Sequence, residues 1–149
     1  MNSEDVAALV RKRLRQAEGV LRDARSLIDT GGTTESIVNR AYYAMFYAVL
    51  AALQSIRRAP RKHRGAISLF DTEFVLKGLF TKEMSTDLHH IFESRQDIDY
   101  GAAEPPTDEP IDVEILYRKA AIFVQAVRDH LRSGKTGAFM AEPPHSGSQ

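Results

Sequence analysis

Hydrophobic side chains dominate one long stretch of the chain, residues 36–56. As a helix, this stretch would be apolar round most of its circumference, which is typical of a helix buried on several sides. Its small residues form one sector of the helical wheel, where a neighbouring helix could approach closely, and its bulky residues form a second. The third sector suits a boundary with water or with a second subunit, because its residues have an apolar body and a polar end. The sectors are, in that order, Ile37, Ala41, Ala44, Ala48 and Ala52; Tyr42, Phe46, Leu50 and Leu53; and Arg40, Tyr43, Tyr47 and Gln54.

Apolar residues at helical spacing predict four further helices. Thr30-Gly31-Gly32 ends the first of them, since glycine can adopt the left-handed conformation of a helix terminus. Thr33 or Thr34 then caps the central helix. The other predicted segments run from Ser3 or Asp5 to residue 30, from Ile67 to Gly78 after a basic turn at residues 57–65, from a cap at Thr81 to Ile98, and from between Asp108 and Asp112 to Leu131.

Five helices with short connections and no convincing strand predict an all-α fold, an antiparallel up-and-down helical bundle. The chain has 149 residues, enough to bury a core of its own, so we predict one domain over residues 1–132. Residues 101–110 are rich in proline and acid and form a predicted loop. Residues 133–149 lack periodicity and are predicted to be a flexible tail.

Composition removes several function classes. The chain has no cysteine, which excludes disulfides, thiolate metal sites and cysteine nucleophiles. Its charged N-terminal stretch is unlike a secretory signal and its central helix carries polar side chains, so we expect a cytoplasmic protein with no membrane span. His89 and His90 are adjacent and project about 100° apart on a helix, so they cannot share a metal ion and no metal site is expected. Twenty basic residues balance twenty acidic ones, although residues 57–64 form a basic cluster and residues 83–114 contain ten acidic residues and one basic residue, Arg95.

Arg95 is the strongest single signal, because it interrupts the apolar stripe of the fourth predicted helix. A guanidinium at such a position must be paired or must face a ligand or a second subunit. Asp99, four residues later, could form an intrahelical ion pair with it. Gln96 and Tyr100 complete a polar set at the helix end, which could bind a nucleotide or hold the end of the bundle together.

Three segments carry a resemblance to a known family: NRAYYAMFYAVLAAL, then KHRGAISLFDTEFVLKG, then the span from Leu88 to Gly101 that ends in RQDIDYG. In this order and spacing, the chain resembles the small stand-alone HEPN-domain proteins of bacteria and archaea over residues 5–131. The resemblance implies a helical bundle that commonly forms a two-fold homodimer with a cleft between subunits. It also implies a place in toxin–antitoxin pairs beside a minimal nucleotidyltransferase partner, and active members of the family are metal-independent ribonucleases.

The active members carry an arginine, usually a polar residue after it, and a histidine four to six residues after the arginine. Arg95 and Gln96 match the first two, whereas Tyr100, Gly101 and Ala102 occupy the positions of the histidine. A tyrosine with a pKa near 10 is a poor general base at neutral pH. The resemblance further implies transfer of AMP to a tyrosine near the motif; Tyr100 is the candidate, although the family position corresponds to Ala102.

Three hypotheses stay open, and with them the question of whether the protein is an enzyme. In the first, a non-catalytic or weakly catalytic dimer binds a nucleotide, RNA or a nucleotidyltransferase partner. In the second, a ribonuclease toxin uses Arg95 with Tyr100 or with a histidine from elsewhere, such as His63. In the third, the protein is an adaptor whose dimer surface is its whole function. The residues assigned to the binding site of the first hypothesis are Arg95, Gln96, Asp99 and Tyr100, with His63, Arg61 and Arg64 as a basic rim.

Overall fold

The computed structural model of the chain describes residues 2–99 and 110–133. Within these residues all regular structure is helical and no strand occurs, which confirms the predicted all-α fold. Predictions for Tyr100, for the loop at 101–109 and for the tail beyond residue 133 lie outside the described residues. The helices are α1 (Ser3–Asp29), α2 (Thr34–Ser55), α3 (His63–Phe70), α4 (Lys82–Asp99) and α5 (Val113–Arg132), and a π-helical turn (Asp71–Val75) continues α3.

The helix ends follow the local sequence. Asn2 caps α1 by accepting a hydrogen bond from the backbone N–H of Asp5, whose side chain accepts one in return from the N–H of Asn2. Gly31 has a φ of 76° directly after α1, where a residue with a side chain would be strained. Thr33 caps α2 through the N–H of Ser36, so the predicted boundary between the first two helices is confirmed.

Side-chain pairs between helices show that neighbours run in opposite directions. The later of two α1 residues contacts the start of α5 and the earlier one contacts its second half, so α1 and α5 are antiparallel. The pairs between the α4 side and α5 follow the same reversed order, as in an up-and-down bundle. The pairs are Arg25 with Glu114 and Glu18 with Arg128 for α1 and α5, and Asp87 with Lys119 and Phe80 with His130 for the α4 side and α5.

Helix α2 lies at the centre of the core, as its sequence predicts. All five members of the small sector are buried, and α1 packs along this helix closely. The four residues of the third sector are all partly buried, which fits a boundary position. The wheel therefore predicted the small buried face and the edge of α2 correctly, whereas Leu50 of the bulky sector is only partly buried.

The start of α3 differs from the prediction. The helix begins at His63, inside the segment predicted as a basic turn, and not at Ile67. Lys62 precedes it without a capping hydrogen bond from its side chain, so no local signal marks this helix start. A tertiary contact stabilises it instead: the imidazole ring of His63 stacks on Phe46 of α2 with 4.1 Å between ring centroids.

Candidate functional site

Arg95 of α4 lies against the aromatic edge of α2. Its guanidinium carbon is 4.8 Å from the centre of the Tyr42 ring and 5.3 Å from that of Tyr43, both within cation–π distance. One of its terminal nitrogens also donates a long hydrogen bond of 3.3 Å to the Tyr43 hydroxyl. The side chain is 22% exposed. The arginine that interrupts the apolar stripe of α4 is therefore packed on rings and still reachable from solvent.

The predicted ion pair between Arg95 and Asp99 is present. Asp99 Oδ2 lies 3.2 Å from Arg95 Nε, but the alignment is not that of a hydrogen bond, and Nε has no hydrogen-bond partner among the described residues. A partly exposed pair at this spacing is worth about 0.2–0.5 kcal/mol. Asp99 thus lowers the local positive charge without saturating the guanidinium.

His63 is the second polar group of this site. Its Nδ1 lies 2.7 Å from the Tyr42 hydroxyl, and its ring stacks on Phe46 and meets Tyr43 edge-on. Burial lowers the pKa of His63, and the positive charge of Arg95 lowers it further. Burial also raises the pKa of Tyr42 well above its usual range, against an opposing effect of Arg95. At neutral pH, His63 is therefore a neutral imidazole and Tyr42 a neutral phenol.

Two more guanidinium groups lie on the neighbouring rings. Arg64 is 5.5 Å from the centre of the Phe92 ring, and Arg40 is 5.9 Å from that of Tyr43. Three cations thus lie over a small group of aromatic rings, of which Tyr42, Phe46 and Phe92 are buried and Tyr43 is partly exposed. The guanidinium groups can hold phosphate groups, and their planes together with the Tyr43 ring can stack a planar base. We call this set the arginine–aromatic cluster: Arg40, Arg64, Arg95, His63, Tyr42, Tyr43, Phe46 and Phe92.

The remaining predicted site residues contribute less. Gln96 is half-buried and Arg61 is exposed, and no contact joins either to the cluster within the described part of the chain. Tyr100 lies outside the described residues. The structure therefore brings together Arg95, Asp99, His63 and Arg64, and the prediction that Arg61, Gln96 and Tyr100 belong to the same site stays a prediction.

Comparison with known proteins gives the family. The HEPN domain family matches residues 10–130 of the chain. The chain is a HEPN-domain protein. A UPF0332 protein of Thermotoga maritima is 36% identical over 113 residues, which are 76% of this chain and 83% of that protein. Two proteins of Methanocaldococcus jannaschii also match: one named "Putative toxin MJ0142" is 32% identical over 64% of each chain, and one named "Putative toxin MJ0605" is 26% identical over 87% of this chain and 94% of its own.

The HEPN region includes every member of the arginine–aromatic cluster. The resemblance inferred from three sequence segments is confirmed at the level of the family. Among the helices of the described residues, none is long and apolar enough to cross a membrane.

Sequence reasoning missed Tyr42 as a polar site residue of the HEPN protein. It was assigned to the bulky core sector of α2, and its ring is indeed fully buried. A signal was available, because a buried tyrosine hydroxyl usually finds a hydrogen-bond partner. The identity of that partner, His63, depends on where α3 begins, which the sequence did not reveal.

The adjacent histidines of α4 lie outside the cluster. Both are exposed, and His89 Nε2 lies 2.6 Å from Asp71 Oδ2 in the π-helical turn. Ser85 donates a hydrogen bond of 2.6 Å to the other oxygen of the same carboxylate. Asp71 thus ties the π-helical turn to α4, a structural role that accounts for these contacts.

We predict that this HEPN protein loses stability in weak acid, because two of its histidines are partly buried. Burial lowers the pKa of His63 and of His130 in the folded state, whereas both return to about 6.5 when the chain unfolds. The unfolded chain then binds more protons, so stability is fully present above pH 6.5 and is lost as the pH falls below it. We expect a melting temperature several degrees lower at pH 5 than at pH 7.5, measured by circular dichroism. His63→Gln should reduce this dependence and His90→Gln, at an exposed position, should not; equal dependence in both variants would contradict the interpretation.

Proposed function

We propose that this HEPN protein is a non-catalytic or weakly catalytic component of a toxin–antitoxin-like pair and that it binds single-stranded RNA through the arginine–aromatic cluster. The observation that carries the proposal is the position of the Arg95 guanidinium over two tyrosine rings, one of which is hydrogen-bonded to His63. Proteins bind single-stranded RNA by stacking its bases on aromatic or guanidinium planes and by neutralising its phosphates. The cluster offers both kinds of group within one small surface.

The charge balance of the cluster supports an anionic ligand of modest affinity. Among the described residues, Arg40, Arg64 and Arg95 face one directly paired carboxylate, that of Asp99. Glu93 and Asp97 flank Arg95 along α4 and weaken the attraction for phosphate. We therefore expect binding that depends strongly on salt.

A ribonuclease toxin is the second candidate function, and one observation favours it. The histidine missing after Arg95 in the sequence has a spatial counterpart, because His63 contacts the same tyrosine as Arg95. Catalysis would require His63 or Tyr100 to take a proton from the 2′-hydroxyl of RNA. The two M. jannaschii relatives named as toxins support a toxin-like role for either candidate.

A second copy of the chain and a minimal nucleotidyltransferase are the proposed protein partners. The family resemblance supports both. In a two-fold homodimer, two arginine–aromatic clusters could face one cleft and bind adjacent nucleotides of one strand. Light scattering on the purified protein, alone and mixed with the product of a neighbouring nucleotidyltransferase gene, tests both partners; a monomer in each case would contradict this part of the proposal.

The test of the proposed function is fluorescence anisotropy with a ten-nucleotide oligouridylate, the matching DNA and an RNA duplex. We expect preference for the single-stranded RNA, no cleavage over hours, and a log–log salt slope of about −2, because about three cations contribute roughly 0.7 each on a single strand. Arg64→Gln should reduce that slope by about 0.7. Arg22→Gln, which neutralises an exposed arginine of α1 outside the cluster, should leave it unchanged.

The outcomes separate the three hypotheses. Binding without cleavage supports the proposal. Cleavage that depends on Arg95 would make the protein a ribonuclease. Absence of both would leave a structural adaptor, and equal slopes for the Arg64 and Arg22 variants would place the RNA elsewhere on the surface.

A further inference from the structure

The hydrogen bond between Tyr42 and His63 determines which nitrogen of His63 carries its proton. Tyr42 is fully buried, and its hydroxyl lies 2.7 Å from Nδ1 of His63, a ring that is only partly buried. A neutral imidazole has one donor nitrogen and one acceptor nitrogen, and a neighbouring hydrogen bond decides which is which. The environment of the Tyr42 hydroxyl therefore decides the chemistry of His63.

The Tyr42 hydroxyl has one proton and can donate one hydrogen bond. If Nδ1 carried the imidazole proton and donated it to Tyr42, the hydroxyl proton would need a different acceptor. The polar group that lies over the same ring is the guanidinium of Arg95, which can only donate hydrogen bonds and cannot accept the hydroxyl proton. Within the described residues, Nδ1 of His63 is the acceptor in contact with this hydroxyl. Tyr42 accordingly donates to Nδ1, and the imidazole proton resides on Nε2.

The other nitrogen of His63 is open to a ligand. Nε2 lies on the side of the ring away from Nδ1, has no protein partner among the described residues, and is not one of the buried unpaired polar atoms of that part of the chain. The ring that carries Nε2 is only partly buried. The N–H at Nε2 of His63 and the guanidinium of Arg95 can each donate a hydrogen bond to a phosphate oxygen. Both residues contact Tyr42.

We propose that Tyr42 is a positioning residue that holds neutral His63 in its Nε2–H form, so that His63 and Arg95 together form a subsite for a phosphodiester group of RNA. The inference rests on the proposed function for the identity of the ligand, whereas the position of the proton can be tested without any ligand. A protonated Nε2 donates to phosphate and has no lone pair with which to remove a proton from a 2′-hydroxyl. The hydrogen bond from Tyr42 thus makes Nε2 of His63 a donor for phosphate, and for the same reason Nε2 cannot act as the general base that cleavage would need.

Nitrogen-15 NMR of the protein labelled at histidine tests the proton position directly. At pH 7.5 we expect the His63 ring to show a protonated Nε2 and an unprotonated Nδ1. Tyr42→Phe should convert His63 to a mixture of both forms. Tyr47→Phe, which removes the hydroxyl of a ring one turn along α2 from Tyr43, should not. A protonated Nδ1 in the wild-type protein would overturn the inference, even if Tyr42→Phe fails to fold.

Titration of the same labelled protein with a five-nucleotide oligouridylate tests the phosphate subsite. We expect the Nε2 resonance of His63 to move with saturation, and Tyr42→Phe to weaken binding at least threefold. Binding that leaves the His63 resonances unmoved would overturn the subsite. Absence of binding with the Nε2–H form intact would overturn the proposed function and the subsite, while the role of Tyr42 in placing the proton would be supported.

Discussion

Arg95→Ala should lower the affinity for single-stranded RNA by about 10- to 100-fold, since a hydrogen bond to a charged group is worth about 1.5–3 kcal/mol. The guanidinium combines the charge, the planar donors and the stacking surface of the arginine–aromatic cluster. Its removal should cost little stability, because the side chain is partly exposed and its ion pair with Asp99 is weak. Anisotropy with the ten-nucleotide oligouridylate and thermal melting of the same sample measure both effects.

Arg95→Lys separates the contributions of charge and shape. Lysine keeps the positive charge but lacks the planar fork and the stacking surface of arginine. We expect an affinity between those of the wild type and Arg95→Ala, with the salt slope retained. Arg22→Ala is the matched control and should bind as the wild type does. Unchanged affinity and unchanged melting of Arg95→Ala would remove Arg95 from the site and with it the proposed function.

The binding hypothesis and the catalytic hypothesis differ in what they require of His63. For binding, a neutral donor beside a guanidinium is sufficient. For cleavage, Nε2 would have to lose its proton, and the buried Tyr42 hydroxyl would then have to find a new acceptor. The structure supplies no such acceptor among the described residues, which is the physical reason for preferring a binding role for this cluster.

Periodicity and helix caps predicted most of the fold. The sectors of α2 follow from side-chain spacing alone, and the cap at Thr33 follows from a hydrogen bond within three residues in the chain. Arg95 could be singled out for the same reason, because a charge in an apolar stripe is visible in the sequence. Interactions of this short range are encoded locally, so one sequence suffices to find them.

The arrangement of the cluster was predicted only in part. His63 was assigned to a basic rim, yet it packs on Phe46 and bonds Tyr42 across 21 positions of sequence. That contact depends on α3 starting at His63, which a ring on another helix stabilises and no local cap marks. The π-helical turn after α3 likewise has no distinct pattern in the sequence. Features that depend on contacts distant in sequence could not be derived from spacing.

Phe70→Ala should destabilise the protein by about 3–5 kcal/mol, the usual cost of removing a buried phenylalanine ring. Phe70 is the last residue of α3 and is fully buried, with ring centroids of Phe74, Phe80 and Phe123 at 5.7, 5.3 and 5.5 Å. These rings join the π-helical turn, the segment before α4 and α5 around one side chain. Few of them can move into the space, because each is held by a different element.

Urea unfolding followed by circular dichroism measures this effect, with Leu76→Ala as the matched control. Leu76 is 78% exposed, so its truncation should change the free energy of unfolding by less than about 0.5 kcal/mol. Because Phe70 also fixes the end of α3, its loss should loosen the helix that begins at His63 and weaken RNA binding in proportion to unfolding. A loss below about 1 kcal/mol for Phe70→Ala would mean that the surrounding rings collapse into the cavity, and that α3 is held mainly by the stacking of His63 on Phe46.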